Sequence, residues 1–227
     1  MSAMIVAVDG PAGSGKSTVT RQVAHRLGLQ LLDTGSVYRA FAWYCLQHGI
    51  DITDPDAVTA AITPFLDVWE LSLDPDERWV RVAGEDVTSE IRTTEISNQV
   101  SYVASVLAVR DAVNQRFREI LHSANEPGII TEGRDMTTVV VPDAQVRILL
   151  TADAQVRIAR RQAERFADNP QAVAQSVLLR DSKDGRVTNF TEAAEGVDVI
   201  DSTHMDLPAV IDAVVQLIAE RTGNGRP

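Results

Sequence analysis

Residues 10–17 read GPAGSGKS, the spacing G-x-x-x-x-G-K-[ST]. Each residue type in it suits one task. Glycines let successive backbone N–H groups turn inward around phosphate oxygens. A helix opening directly after the loop adds the partial positive charge of its N-terminus. Lys16 has the reach for terminal phosphates, and the Ser17 hydroxyl is a ligand for Mg²⁺. By average residue usage, such a match arises by chance in about one chain in a hundred of this length. The stretch Gly10, Pro11, Ala12, Gly13, Ser14, Gly15, Lys16, Ser17 and Thr18 is therefore the candidate binding site for ATP.

A protein that moves a phosphoryl group also needs a place for the acceptor, and arginines to meet charge on the group in flight. DTGSVYR (33–39) and EGRD (132–135) both follow apolar runs. At the carboxyl ends of parallel strands they would face one crevice. Arg157, Arg160, Arg161 and Arg165 recur at helical spacing and share one face. No Asn-Lys-x-Asp segment follows an apolar run, which argues against a guanine-nucleotide switch. Asp33 suits a helix cap, and Glu132 a strand-end carboxylate placed to accept from a metal-bound water. Trp69 and Trp79 read as packing residues rather than as base-stacking ones.

The elements that must position these residues follow from apolar periodicity. Short buried strands are expected at 4–8, 29–32, 128–131, 146–150 and 197–200. Helices are expected at 16–27, 36–48, 57–66, 94–122, 154–166, 171–179 and 207–221. Alternation about Trp69, Leu71 and Leu73 and again over 79–83, with the turn DPDE between, predicts an antiparallel hairpin, extended over 86–91. Strands alternating with helices define an α/β class with a doubly wound parallel sheet, and the hairpin reads as an insertion.

Composition narrows the partners. The chain has 227 residues, 21 Lys and Arg against 32 Asp and Glu, and a net charge of −11. Apolar residues are 44% and charged residues 23%, the mix of a globular protein. A negative field disfavours nucleic acid and membrane surfaces as partners. The longest stretch without a charged residue, 96–109, holds Ser, Asn, Gln and Tyr, so no membrane span is expected. The N-terminus shows no secretory pattern. Cys45 is the one cysteine, and the four histidines show no metal-ligand spacing, so a reducing, cytoplasmic setting is expected.

Several segments together resemble bacterial cytidylate kinases, a branch of the nucleoside monophosphate kinases. They are VDGPAGSGKST (8–18), LLDTGSVYR (31–39), AGEDVTSEIRT (83–93), NQVSYVASVLAVR (98–110), EGRDMTTVVVPDA (132–144) and RDSKD (180–184). The resemblance implies a P-loop NTPase fold forming a single domain over 1–227. Its core would cover 4–66, 105–153 and 187–227, its acceptor-binding insert 67–104 and its helical lid 154–186. It implies phosphorylation of CMP and dCMP by ATP with Mg²⁺, in a monomer. Thr34 and Arg39 would lie by the acceptor, Arg39 on its phosphate. Ser101, Arg110 and Asp135 match residues that read the cytosine ring, and Arg134 matches a second phosphate-binding arginine. Arg157 and Arg161 match lid arginines, Arg180 an arginine near the phosphates, and Asp184 a carboxylate on the ribose. The related lid pattern is R-D-x-x-D-x-x-R. Here Arg186 stands one residue early, after Gly185, and would replace the displaced arginine. The competing readings are a kinase for another small acceptor such as UMP, and a non-catalytic nucleotide-binding relative.

Overall fold

The computed structural model describes residues 3–164, 171, 174, 175, 181 and 190–223. Arg165, Arg180, Asp184 and Arg186 lie outside the described residues, as does most of the expected helix 171–179. The chain forms two compact units, Met1–Leu32 with Ala124–Pro227, and Asp33–Ser123.

The first unit is built on a five-stranded sheet. Its strands are β1 (Met4–Asp9), β2 (Gln30–Asp33), β6 (Gly128–Gly133), β7 (Val146–Thr151) and β8 (Asp198–Asp201), in the order β2-β6-β1-β7-β8. β1 lies parallel to β6 and β7, with Val8 opposite Glu132 and Ile148, and β7 lies parallel to β8. The apolar run IVAV buries fully because β1 is central, flanked on both edges. Helix α1 (Lys16–Leu27) sets Val19 and Val23 against Val6, Val8, Ile130 and Ile148. Val210, Val214 and Ile218 of α7 (Leu207–Arg221) close the same core. Helix α6 (Ala154–Glu164) follows β7. Because β1 is central, the loop that leaves its carboxyl end lies between the ends of β6 and β7, where α/β sheets bind ligands.

One turn was not expected from the sequence. Met136–Val140 forms a π-helical turn directly after β6. The first N–H groups of a helix have no partner within it, and the Asp135 side chain makes no capping bond here. Asp9 supplies the acceptor from β1. Its carboxylate accepts from Met136 N at 3.0 Å, Thr137 N at 2.8 Å and Thr137 Oγ1 at 2.6 Å. Asp9 is buried. Burial pushes its carboxyl above the ordinary range, opposed by the bonds from Thr137 and Met136.

The second unit contains α2 (Thr34–Gln47), α3 (Pro55–Val68), strands β3 (Trp69–Leu71), β4 (Val80–Val82) and β5 (Glu85–Asp86), a 3-10 turn (Glu90–Arg92), α4 (Thr94–Ala104) and α5 (Leu107–His122). The three strands pair antiparallel, with Trp69 opposite Val82. The hairpin thus forms as expected, and β5 with the 3-10 turn occupies its extension. This compact unit is wider than the expected insert 67–104. A three-stranded sheet this short cannot bury enough apolar surface alone, so it packs with helices. Phe65 of α3 lies 5.1 Å from Phe41 of α2 and 6.2 Å from Trp69 of β3, ring centre to ring centre. The helices expected over 94–122 are α4 and α5. Val106 takes an extended conformation between them, and Arg110 Nη1 donates to the last carbonyl of α4, Ala104 O, at 3.2 Å.

Asp9→Ala removes the acceptor of three buried donors. Each such loss costs about 1–3 kcal/mol, and about 1 kcal/mol corresponds to roughly 2–4 °C in a chain of this size. Calorimetry should therefore show a melting temperature lower by about 5 °C or more; an unchanged value would mean that this contact does not secure the turn.

Candidate active site

Between β1 and α1 the backbone takes conformations open to glycine alone. Gly13 and Gly15 have φ of +76° and +94°. Two of the loop's glycines also have no room for a side chain. A Cβ on Gly10 would stand 2.1 Å from Leu150 O, and one on Gly13 would stand 2.6 Å from Arg157 O. Gly15 caps α1, and a Cβ there would meet nothing within 4 Å. The first turn of α1 carries no acidic residue. Its N–H groups and the open side of Gly15 thus form a seat for an anion at a helix N-terminus.

Four basic side chains donate to the carbonyls of this loop. Lys16 Nζ donates to Gly10 O at 2.6 Å and to Pro11 O at 3.0 Å. Arg134 Nη1 also donates to Gly10 O, at 2.9 Å. Arg157 Nη1 donates to Ala12 O at 2.9 Å, and Arg160 Nη1 to Ser14 O at 3.3 Å. Arg160 reaches further, to Ser202 Oγ at 2.9 Å and Ser202 O at 2.8 Å, fastening α6 to the loop after β8. Arg157 Nε donates to Ala152 O at 3.1 Å, and the residue is 9% exposed. Arg157 and Arg160 therefore differ from the solvated basic face that their spacing alone would suggest. Both are committed to backbone carbonyls around the loop. Arg161, on the same helix, is half-buried.

Arg134 leaves β6 with its guanidinium carbon 4.3 Å above the ring of Phe190. Its neighbours Glu132 and Asp135 are buried at 5% and 4% exposure. The structure thus brings Gly10–Lys16, Arg134, Asp135 and Arg157 into the first unit around one loop. Asp181 joins them, its Oδ1 accepting from Ala12 N at 3.0 Å.

The other acceptor candidates lie in the second unit. Thr34 is buried in the first turn of α2. Asp33 caps that helix by accepting from Ser36 N at 3.1 Å, and its other oxygen accepts from Arg78 Nη2 at 2.9 Å. Asp33 therefore caps as expected and also ties the β3–β4 connection to α2. Arg39 is half-buried, with Nη2 3.6 Å from where a Cβ on Gly35 would stand, an ordinary contact distance. Ser101 is buried in α4, one turn before the Ala104 carbonyl that Arg110 caps. The Arg110 guanidinium carbon is 5.8 Å from the ring centre of Tyr38. Trp69 packs on Phe65, and Trp79 lies under the guanidinium of Arg81 at 4.4 Å.

Sequence reasoning left Asp9, Arg78 and Asp181 without roles. Asp9 precedes the glycine motif directly, and Asp181 lies within RDSKD, so a carboxylate adjacent to a motif was the available signal. Arg78 carried no local signal, because its partner is 45 residues away.

Among the described residues no cluster of three or more His, Cys, Asp or Glu side chains could hold a metal, and no helix is long and apolar enough to cross a membrane. Ser17 is exposed in the first turn of α1. One exposed hydroxyl without a carboxylate cage fits Mg²⁺ that arrives on phosphate oxygens and keeps most of its water.

A central parallel strand running through a glycine loop into a helix, with a lysine at the head of that helix, defines a phosphate-loop NTPase fold. The family described as cytidylate kinase matches residues 6–220. A cytidylate kinase of Cutibacterium acnes is 50% identical over 96% of both chains. One of Streptomyces avermitilis is 40% identical over 96% of this chain and 94% of its own, and one of Rhodococcus opacus is 39% identical over 99% of both. The chain belongs to the cytidylate kinase family.

The two left-handed glycines of the loop differ in what a methyl group would meet, so they should differ in cost. Gly15→Ala meets only backbone strain, about 1–2 kcal/mol. Gly13→Ala adds a collision with Arg157 O and should lower the melting temperature distinctly further; equal melting temperatures would contradict the packing described for Gly13.

Proposed function

We propose that this enzyme transfers the γ-phosphoryl group of ATP to the phosphate of CMP or dCMP, forming ADP and CDP or dCDP. The observation that carries the reading is the Lys16 ammonium at the head of α1, folded over the Gly10 and Pro11 carbonyls, in a chain that matches its family over residues 6–220.

The phosphates of ATP lie against the loop Gly10–Thr18 in this reading. Lys16 turns from the loop carbonyls to the terminal phosphates, exchanging neutral acceptors for charged ones. The ammonium then faces full negative charge instead of carbonyl dipoles, and that charge–charge attraction favours the exchange. Ser17 would hold Mg²⁺ that arrives with ATP, and the ion would supply neutralisation of phosphate charge. The attacking group is an oxygen of the acceptor's own phosphate, already a nucleophile at neutral pH, so no side chain serves as general base. The protein's work is alignment and neutralisation. Arg39 and Arg134 hold the acceptor phosphate, while Arg157, Arg161 and Arg180 meet charge on the transferred group. Thr34 lies by the acceptor, and Asp184 and Arg186 complete the ribose and phosphate contacts.

Base selection falls to Ser101, Arg110 and Asp135. Cytosine offers an amino donor at N4, for which a carboxylate is a natural partner. Uracil offers O4 at that place, lone pair against lone pair. An unpaired buried polar group costs about 1–3 kcal/mol, more when charged, so CMP should outcompete UMP by at least about tenfold.

Coupled ADP release with CMP, UMP, AMP and GMP tests the reading. CMP and dCMP should give the highest kcat/KM, and a preference for any other acceptor would refute it. Lys16→Ala should lower turnover by several orders of magnitude while the protein stays folded, its melting temperature lowered only modestly by loss of the bonds to Gly10 O and Pro11 O; near-normal turnover would remove Lys16 from the transfer. Asp135→Asn should lower kcat/KM for CMP and raise the UMP:CMP ratio. A ratio that does not move would mean that Asp135 does not read the base.

A further inference from the structure

Two guanidinium groups that converge on one loop repel each other unless an anion stands between them. Arg134 donates to Gly10 O and Arg157 to Ala12 O, so both are drawn to the same turn. The Asp181 carboxylate lies between them. Its Oδ2 accepts from Arg157 Nη1 at 2.5 Å, and its Oδ1 lies 3.4 Å from Arg134 Nη1. The same Oδ1 accepts from Ala12 N at 3.0 Å. Both backbone polar groups of Ala12 are thus held, its N–H by Asp181 and its carbonyl by Arg157. The three side chains are largely shielded, at 16% exposure for Arg134, 11% for Arg157 and 16% for Asp181. Pairs so placed are screened by salt far less than surface pairs.

We propose that Asp181 is a positioning residue for phosphoryl transfer. Its carboxylate sets the distance between Arg134 and Arg157 and fixes the Ala12 peptide against both, so that loop amide and guanidinium groups form one preorganised set of donors. The inference rests on the kinase reading above. Its negative charge is what matters: a neutral side chain of equal shape still accepts from Ala12 N but leaves the two cations unopposed. Fixed donors cost no reorganisation when charge develops, and groups that must first be gathered do.

The test compares Asp181→Asn, which keeps an acceptor for Ala12 N, with Asp181→Ala, which does not. Steady-state kcat and KM for ATP and CMP are measured in the full-length enzyme beside the melting temperature. Both variants should lose kcat by about tenfold to a hundredfold, the range set by misplacement of about 1 Å at a reacting centre, with a smaller rise in KM for CMP, whose phosphate Arg39 also holds. If the alanine variant does not fold, the asparagine variant carries the test alone. The Asp181→Asn loss should also shrink in an Arg157→Gln background, because the charge then has one cation fewer to place. A merely structural role predicts losses that multiply instead. A wild-type enzyme inactive on CMP overturns the functional reading and this inference with it. An active wild type whose Asp181→Asn variant keeps full kcat, or loses equally in both backgrounds, overturns this inference alone.

Discussion

A peptide that turns its N–H toward a phosphate turns its carbonyl away from it, and that carbonyl still needs a donor. In Gly10–Lys16 it is the carbonyl side of this demand that shapes the surroundings, since Pro11 has no N–H and the Ala12 N–H is taken by Asp181. The outward carbonyls of Gly10, Pro11, Ala12 and Ser14 are taken by Lys16, Arg134, Arg157 and Arg160. Those four cations come from α1, the end of β6, and α6. Satisfying the loop therefore fixes where β6 ends and how α6 leaves β7. The close approach of Leu150 O to Gly10 and of Arg157 O to Gly13 is the steric side of the same arrangement.

Gathering four cations in a chain of net charge −11 places a local positive site in a negative field. Two carboxylates keep that site ordered without filling it. Asp9 is spent on Met136 and Thr137, away from the cations, and secures the turn that follows Arg134 and Asp135. Asp181 stands among the cations and offsets their repulsion. In the second unit Asp33 does related work, capping α2 with one oxygen and holding Arg78 with the other. Cys45 takes no part. It is fully buried, and burial pushes its thiol up to about 12.

The parts legible in the sequence were those governed by local rules. Strand β1, its glycine loop and α1 are contiguous, and each carries its own signal in apolar run, glycine spacing and periodicity. Helix α7 likewise matches its expected bounds, because Asp206 caps it and its apolar stripe is regular. What failed to show depends on partners distant in the chain. The break between α4 and α5 has no glycine or proline to announce it and is sealed by Arg110 on Ala104 O. The π-helical turn at Met136–Val140 owes its N-terminal cap to Asp9, over 100 residues upstream. The width of the second unit follows from Phe41, Phe65 and Trp69 packing across three elements. The arginine stripe of α6 was visible, but periodicity could not tell a guanidinium spent on carbonyls from one facing solvent.

The central claim is that this arrangement directs a phosphoryl group to a phosphate oxygen and not to water. Phosphorus NMR of the enzyme with ATP, Mg²⁺ and CMP follows every phosphate at once. The account predicts that the CMP resonance is replaced by the two coupled resonances of CDP while ATP becomes ADP in equal amount, with no inorganic phosphate formed. Release of inorganic phosphate with the CMP resonance intact would contradict it.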